Sequence, residues 1–248
     1  MKFAIEAICN IGAVRKSNQD MILIGNQLIR DEAVEYTIDA TERNFFVAVS
    51  DGMGGHLGGE VASELVVNHM QTLAAQLPNS LSKTQLYAIL NQGIKMLHEG
   101  LNAKGEANPA YYQLGATFIG LLIYNGAAYS VNIGDSRLYR LRGGILAQLS
   151  NDHSLSNLLN DANIPLNRLA NAFGGGAKTI FFDFEEVNLL DNDVMLLCSD
   201  GFNNELKFEQ IENMLSLNSP LADMVNQAIA NGGNDNISAI KICISSVQ

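Results

Sequence analysis

Residues 116–142 read ATFIGLLIYNGAAYSVNIGDSRLYRLR. Three runs of strand length lie in this stretch, at 116–124, 127–133 and 137–142. Asn125-Gly126 separates the first two, and Asn-Gly between apolar runs is a strong signal for a tight hairpin turn. Gly134-Asp135-Ser136 separates the second from the third. Strands joined by such short turns run antiparallel, because a parallel pair needs a long crossover.

The flanking sequence extends this picture. Residues 2–10 alternate, with Phe3, Ile5, Ala7 and Cys9 on one face, so they read as a strand. Residues 21–24 and 45–49 are apolar throughout, as strands buried on both faces are. Between 58 and 77, Ala62, Leu65, Val66, Met70, Leu73 and Leu77 form one helical stripe that Pro78-Asn79 breaks. A second helix is expected over 82–103, with Ser82 as N-cap and Leu86, Ile89, Leu90, Ile94 and Leu97 as its stripe. Beyond the hairpins, 155–159 and 166–173 read as short helical pieces ended by Gly174-Gly175-Gly176. Residues 179–189 and 194–198 read as strands around Asp191-Asn192-Asp193. Helices near 208–215 and 221–230 precede a last strand at 237–244. Two helices adjacent in sequence, with strands joined mainly by hairpins, make an α+β pattern rather than a repeating βαβ. With no linker, no repeat and only four prolines, one domain over 1–248 is expected.

Composition bounds the function. At 47% hydrophobic and 17% charged, the chain can bury a sizeable core. No apolar run approaches the roughly 20 residues of a membrane span. Lys2 opens the chain, but Glu6 and Asn10 interrupt the short apolar stretch after it, which argues against a secretory signal. Three scattered cysteines (Cys9, Cys198, Cys243) do not make a disulfide framework and suit a reducing cytoplasm. The 26 acidic residues against 15 Lys and Arg give a net charge of −11, which disfavours nucleic acid as a partner.

The acidic residues are placed in a pattern. Residues 45–50 run into Asp51-Gly52-Met53-Gly54-Gly55, and 194–199 run into Asp200-Gly201; both spell apolar strand, Ser, Asp, Gly. Gly233-Asn234-Asp235-Asn236 opens the final strand, Gly134-Asp135-Ser136 joins two strands, and Asn18-Gln19-Asp20 leads into 21–24. One Asp-Gly alone is an ordinary turn. Five acidic turns at strand ends are a set, and carboxylates meeting in one cleft repel unless a hard cation such as Mg²⁺ or Mn²⁺ sits among them. No His/Cys cluster with zinc spacing exists.

The set resembles the metal-dependent type 2C Ser/Thr protein phosphatases in their bacterial form. The matching stretches are 12–20 (GAVRKSNQD), 49–56 (VSDGMGGH), 115–117 (GAT), 133–137 (IGDSR), 151–154 (NDHS), 198–201 (CSDG) and 233–237 (GNDNI), in family order over nearly the whole chain. The resemblance implies a four-layer α-β-β-α sandwich, two antiparallel sheets flanked by helices. It further implies a phosphoprotein phosphatase holding two or three Mn²⁺ or Mg²⁺ ions, in which a metal-bridging water attacks phosphorus directly. Carried over by position, Asp51 would bridge two metals and Gly52 would ligate through its carbonyl. Asp200 and Asp235 would hold the first metal, and Asp135 with Asp200 would match a third-metal position. Asp20 and Gln19 belong to the same metal set, Asp20 as support behind the ligands. Arg15 would grip the substrate phosphate, as a guanidinium can with paired bonds. The implied partners are phosphorylated proteins, substrates of a bacterial Ser/Thr kinase of eukaryotic type.

The chain departs from the family pattern at three places. Gln19 stands where many relatives have Glu. Met53 stands where some members carry a His assigned as general acid, which leaves His56 as the nearby candidate for protonating the leaving group. Residues 152–174 look shorter than in typical bacterial members, so the flap beside the site is trimmed and selectivity would change. His153 reads as structural, and His69 and His98 as helix residues without a chemical role. A competing spelling is Cys9-x5-Arg15, the spacing of cysteine-dependent phosphatases, whose thiol sits at a helix N-terminus. A non-catalytic phosphoprotein-binding module on the same fold is a further alternative.

Overall fold

A computed structural model describes residues 1–39, 44–54, 58–161, 163–164 and 168–245. In chain order the elements are β1 (Lys2–Asn10), β2 (Met21–Ile24), β3 (Gln27–Ile29), β4 (Ala33–Asp39), β5 (Phe45–Ser50), β6 (Gly52–Met53), α1 (Gly58–Ala75) and α2 (Lys83–Ala107). Then come β7 (Gly115–Ala116), β8 (Phe118–Tyr124), β9 (Ala127–Ile133), β10 (Arg137–Arg142), β11 (Ile145–Gln148), α3 (Leu155–Leu159) and β12 (Phe173–Gly174). The chain continues through β13 (Asp183–Glu186), β14 (Val194–Cys198), α4 (Asp200–Asn203), α5 (Phe208–Ser216), α6 (Leu221–Asn231) and β15 (Ile237–Ser245).

One six-stranded sheet has the order β11-β10-β14-β15-β1-β4, a second has β13-β9-β8-β5-β2-β3, and a three-stranded sheet β12-β7-β6 adjoins them. Every pairing in them is antiparallel. The two large sheets pack face to face through Phe3, Ile5, Ala7 and Cys9 of β1, Val47 and Val49 of β5, Ile119 and Leu121 of β8, and Ile240 and Ile242 of β15. Helices α1 and α2 cover the outer face of the second sheet, with Val66, Met70, Leu90 and Ile94 against Phe46, Phe118 and Leu122. On the opposite side, α5 and α6 set Ile211, Leu215, Met224 and Val225 against Tyr139, Leu196 and Ala239 of the first sheet. Those four layers are the expected α-β-β-α sandwich.

Local chemistry accounts for the elements. At the β8–β9 turn Asn125 and Gly126 both have positive φ (48° and 79°), which a mirror-image hairpin turn needs. Ser82 and Gln85 form a reciprocal capping box at the start of α2, with Ser82 N–H donating to Gln85 Oε1 at 2.9 Å and Gln85 N–H to Ser82 Oγ at 3.3 Å.

The structure corrects the reading of residues 166–173. Of those described, none is helical: Leu169 bridges to Ser154, and Phe173–Gly174 pairs with Gly115–Ala116. Sheet pairing at both ends outweighs an apolar spacing that imitates a helix. The strand expected over 179–189 shortens to Asp183–Glu186, the part in register with β9, and Val187 N–H adds one further bond to the Ala128 carbonyl (2.8 Å). The sequence reading also passed over the edge strands β3, β4 and β11, although Val34, Tyr36 and Ile38 do alternate toward the core.

One polar contact ties the layers together. Buried Lys241 on β15 donates to Glu6 Oε1 on β1 (2.9 Å) and to the Ser219 carbonyl (2.8 Å), while Glu6 Oε2 accepts from Leu221 N–H at the start of α6 (2.6 Å). Glu6→Ala leaves the ammonium short of its counter-charge and uncaps α6. Chemical denaturation should show a loss of about 3 kcal/mol, the low end for a broken buried pair because Glu6 is itself about a third exposed.

Candidate metal centre

Strand β5, buried along its whole length, ends at Ser50, whose Oγ donates to the Thr117 carbonyl at 2.7 Å. Asp51 therefore leaves a fixed point. Its N–H donates to Thr117 Oγ1 (3.0 Å), its carbonyl accepts from Thr117 N–H (2.9 Å), and Thr117 Oγ1 meets Ser136 Oγ at 2.7 Å. That chain of bonds fastens the Asp51 and Asp135 turns to one frame. Gly52 follows because nothing larger fits: a Cβ there would lie 2.1 Å from the Gly59 carbonyl oxygen and 2.5 Å from that of Gln19. Gly52 N–H donates to the Gln19 carbonyl at 3.1 Å.

Strand β14 delivers the second Ser-Asp-Gly. Ser199 Oγ donates to Asp20 Oδ2 at 2.9 Å and accepts from Ser238 N–H at 3.0 Å. Asp200 starts α4 and accepts from Asn204 Nδ2 at 3.2 Å. A Cβ on Gly201 would meet the Asn236 carbonyl oxygen at 2.0 Å, so this glycine lets the start of α4 press against the turn that opens β15. At that start, Asp235 Oδ1 accepts from Asn236 N–H (2.8 Å), and Asp235 Oδ2 takes Arg15 Nη2 at 2.6 Å.

The carboxylates share one electrostatic field. Burial, then the charges of Asp20, Asp200, Asp135 and Asp235, pushes the Asp51 carboxyl well above the ordinary carboxylate range. Asp20 is pushed up to about 7, first by burial and then by Asp200 and Asp235, against hydrogen bonds from Ser238 and Ser199. Asp135 also rises to about 7, through burial and then Asp200 and Asp152. Asp200 is raised by burial and Asp235, and a hydrogen bond from Asp51 opposes the rise. Arg15, half exposed, is held more firmly protonated by its bond to Asp235, with Asp51 and Asp200 contributing.

Asp20, Asp51, Asp135, Asp200, Asp235 and Arg15 thus lie in one neighbourhood, drawn from segments up to 220 residues apart. Gln19 joins them through its main chain, and its side chain lies against Gly59. His56 falls outside the described residues. Among the described residues no three His, Cys, Asp or Glu side chains close tightly around one point, so the acidic residues form a loose cluster rather than a finished cage. The donor set nevertheless suits a hard cation: it is all oxygen, it is short of positive charge, and buried Asp20 Oδ1 has no hydrogen-bond partner.

Cys9 is unsuited to nucleophilic attack. It lies inside the sandwich near the end of β1, and burial and Asp20 push its thiol up to about 11, opposite to what a thiolate nucleophile needs. A turn, not a helix, follows it. His153 is buried, its Nδ1 accepting Gly134 N–H at 3.2 Å and its Nε2 facing Asp183 Oδ2 at 3.2 Å, so it braces the Asp135 turn. His98 accepts Gly174 N–H at 3.1 Å. Sequence reasoning gave no role to Thr117, Ser136, Ser199 or Asn236; the last three adjoin or belong to an acidic turn and have short polar side chains able to bond main-chain groups, whereas Thr117 meets Asp51 only through the fold.

Residues 23–240 match the family model described as Protein phosphatase 2C. The serine/threonine phosphatase stp of Listeria monocytogenes is 30% identical over 210 residues, 79% of this chain and 83% of that protein. Protein phosphatase PhpP of Streptococcus pneumoniae is 29% identical over 97% of both chains. Among solved structures, the Mycobacterium tuberculosis serine/threonine phosphatase PstP/Ppp superposes with a TM-score of 0.77 at 26% identity, over 99% of this chain and 100% of that one. A structure of the PstP catalytic domain in complex with two manganese ions aligns with a TM-score of 0.74 at 26% identity, over 98% of this chain and 100% of that one.

Proposed function

This chain belongs to the protein phosphatase 2C family and is a protein serine/threonine phosphatase; on that premise we propose that it hydrolyses phosphoserine and phosphothreonine monoesters at the acidic cluster. The observation that carries this reading is the convergence of partly buried Asp51 with Asp20, Asp135, Asp200 and Asp235, the Asp51 and Asp135 turns being joined through Thr117 and Ser136 and Arg15 being bonded to Asp235. Asp51, Asp200, Asp235 and the Gly52 carbonyl would hold two Mn²⁺ or Mg²⁺ ions, with Asp135 and Asp200 available to a third and Asp20 and Gln19 supporting the set. When bound, such ions supply charge neutralisation at phosphorus and a water of lowered pKa.

The chain's own residues do the rest. Arg15, now paired with Asp235, would turn to the phosphate oxygens once Asp235 serves a cation. Thr117 and Ser136 fix where Asp51 and Asp135 can point. In the hydrolysis a water oxygen would bond to phosphorus as the P–O bond to the Ser or Thr side chain breaks, giving inorganic phosphate, and the departing oxygen would take a proton, for which His56 is the candidate donor. The main chain after Ser154 returns at Leu169, and this short excursion would shape the surface that meets the phosphoprotein. The substrates would be products of a Ser/Thr kinase, and three free cysteines suit action in the cytoplasm.

Steady-state hydrolysis of a phosphothreonine peptide at saturating Mn²⁺ tests the assignment of Arg15. Arg15→Ala is expected to lower kcat/KM by about 10–100-fold, mainly through KM, because a charge-assisted bidentate contact is lost. An unchanged KM would remove Arg15 from the phosphate site.

A further inference from the structure

The Arg15 loop is exposed and mostly irregular, yet it must hold a guanidinium at a fixed place beside Asp235. One buried side chain accounts for much of its placement. Asn236 Nδ2 donates to the Ile11 carbonyl at 2.9 Å and to the Ser17 carbonyl at 3.0 Å, and Asn236 Oδ1 accepts from Gln19 N–H at 2.8 Å. These three bonds staple both ends of the loop to the turn that carries Asp235. The same amide reaches the metal-side backbone, since Gln19 passes the link to Gly52 through its carbonyl. Elsewhere the first half of the loop is tied by Ala13 N–H to the Gly233 carbonyl (2.9 Å) and Gly12 N–H to Asn10 Oδ1 (2.8 Å), and its far end by buried Asn18, whose Nδ2 donates to Asp31 Oδ1 (2.8 Å) and Cys9 Sγ (3.3 Å). Gly12 itself has φ +79°, and a Cβ there would lie 2.1 Å from the Asp235 carbonyl oxygen, so the loop is pressed against the Asp235 turn.

The geometry points to Asn236 as the positioning residue of phosphate capture: it sets the register of the Arg15 loop against Asp235 and acts on substrate through Arg15. This inference rests on the phosphatase reading above. It is specific about chemistry. A carboxylate at this position keeps an acceptor for Gln19 N–H but sets negative charge against the two carbonyls of Ile11 and Ser17, so the segment that carries Arg15 loses its tie on either side while Asn18 and Gln19 stay held.

The test compares wild type, Asn236→Asp, Arg15→Ala and the double variant on a phosphothreonine peptide with saturating Mn²⁺, with hydrogen exchange of residues 11–19 measured alongside. Asn236→Asp should raise KM by about 10–100-fold, the scale of losing an outer hydrogen-bond partner, with kcat changed much less. In the Arg15→Ala background the same change should alter kcat/KM less than about threefold, because both act through one guanidinium. Amide exchange across 11–19 should rise while α2 keeps its protection. Multiplying effects in the double variant, or a fall in kcat at constant KM, would overturn the assignment. A wild type without turnover would instead sink the phosphatase reading, and unchanged exchange of residues 11–19 in Asn236→Asp would then overturn the placement as well.

Discussion

Asp51→Asn is expected to lower kcat for a phosphopeptide by about 10³-fold or more at saturating Mn²⁺, the order of effect that follows removal of one electrostatic element from a preorganised site. Asp200→Asn should do the same. The amide preserves the shape of the carboxylate and its place at the end of β5, where Ser50, Thr117 and Ser136 hold the main chain independently of the Asp51 charge. The fold should survive, and the metal-free variant should melt higher than metal-free wild type at pH 8. That second expectation follows from electrostatics: an Asp51 carboxyl displaced far upward is costly to ionise where it sits. Calorimetry and turnover on the same preparations check both. A variant retaining wild-type kcat would remove Asp51 from the reacting centre.

The second large effect is the response of stability to pH and cation. Asp20 and Asp135 rise to about 7 in the folded chain, against about 4 for an unfolded Asp. Between those values the folded state holds protons that the unfolded chain has released. Their contribution to stability is therefore complete below about pH 4 and lost as pH rises through about 7. Metal-free protein should lose melting temperature from pH 5.5 to 8, with a shallower slope in Asp135→Asn. Mn²⁺ should restore it. At one hundred times its Kd a ligand adds about 2.7 kcal/mol, which for a chain of this size is roughly 5–10 °C. The gain should be larger at pH 8 than at pH 6, because the ligands must be ionised to bind. A melting temperature indifferent to Mn²⁺ at pH 8 would contradict the centre.

Much of this was legible in the sequence because the signals were local. The Asn125-Gly126 hairpin, the β1 alternation, the Ser82 cap and the two Ser-Asp-Gly strand ends each state their geometry within a few residues. What escaped was non-local. Strand β4 is an edge strand with polar residues on its outer face, and β12 is two residues long and exists because β7 lies beside it. Residues 168–173 carry apolar spacing that suits a helix, but Asn171 Nδ2 donates to the Phe181 carbonyl and Leu169 bridges back to Ser154. At the site, the acidic residues were readable from their turns, whereas the partners that aim them were not. Nothing in the local sequence of Asn236 says that its amide will reach Ile11 and Ser17 from more than two hundred positions away. Arg15 could be singled out as a phosphate ligand, yet its bond to Asp235 depends on how the 11–19 loop folds over β15.

The central claim is that Asp51, Asp200 and Asp235 gather divalent cations that the hydrolysis of phosphoserine and phosphothreonine requires. Phosphate release from a phosphothreonine peptide, measured on EDTA-stripped wild-type protein against increasing free Mn²⁺, tests it most directly. Release should be absent without metal and rise saturably as Mn²⁺ is added. Turnover that persists undiminished in excess EDTA would contradict the account.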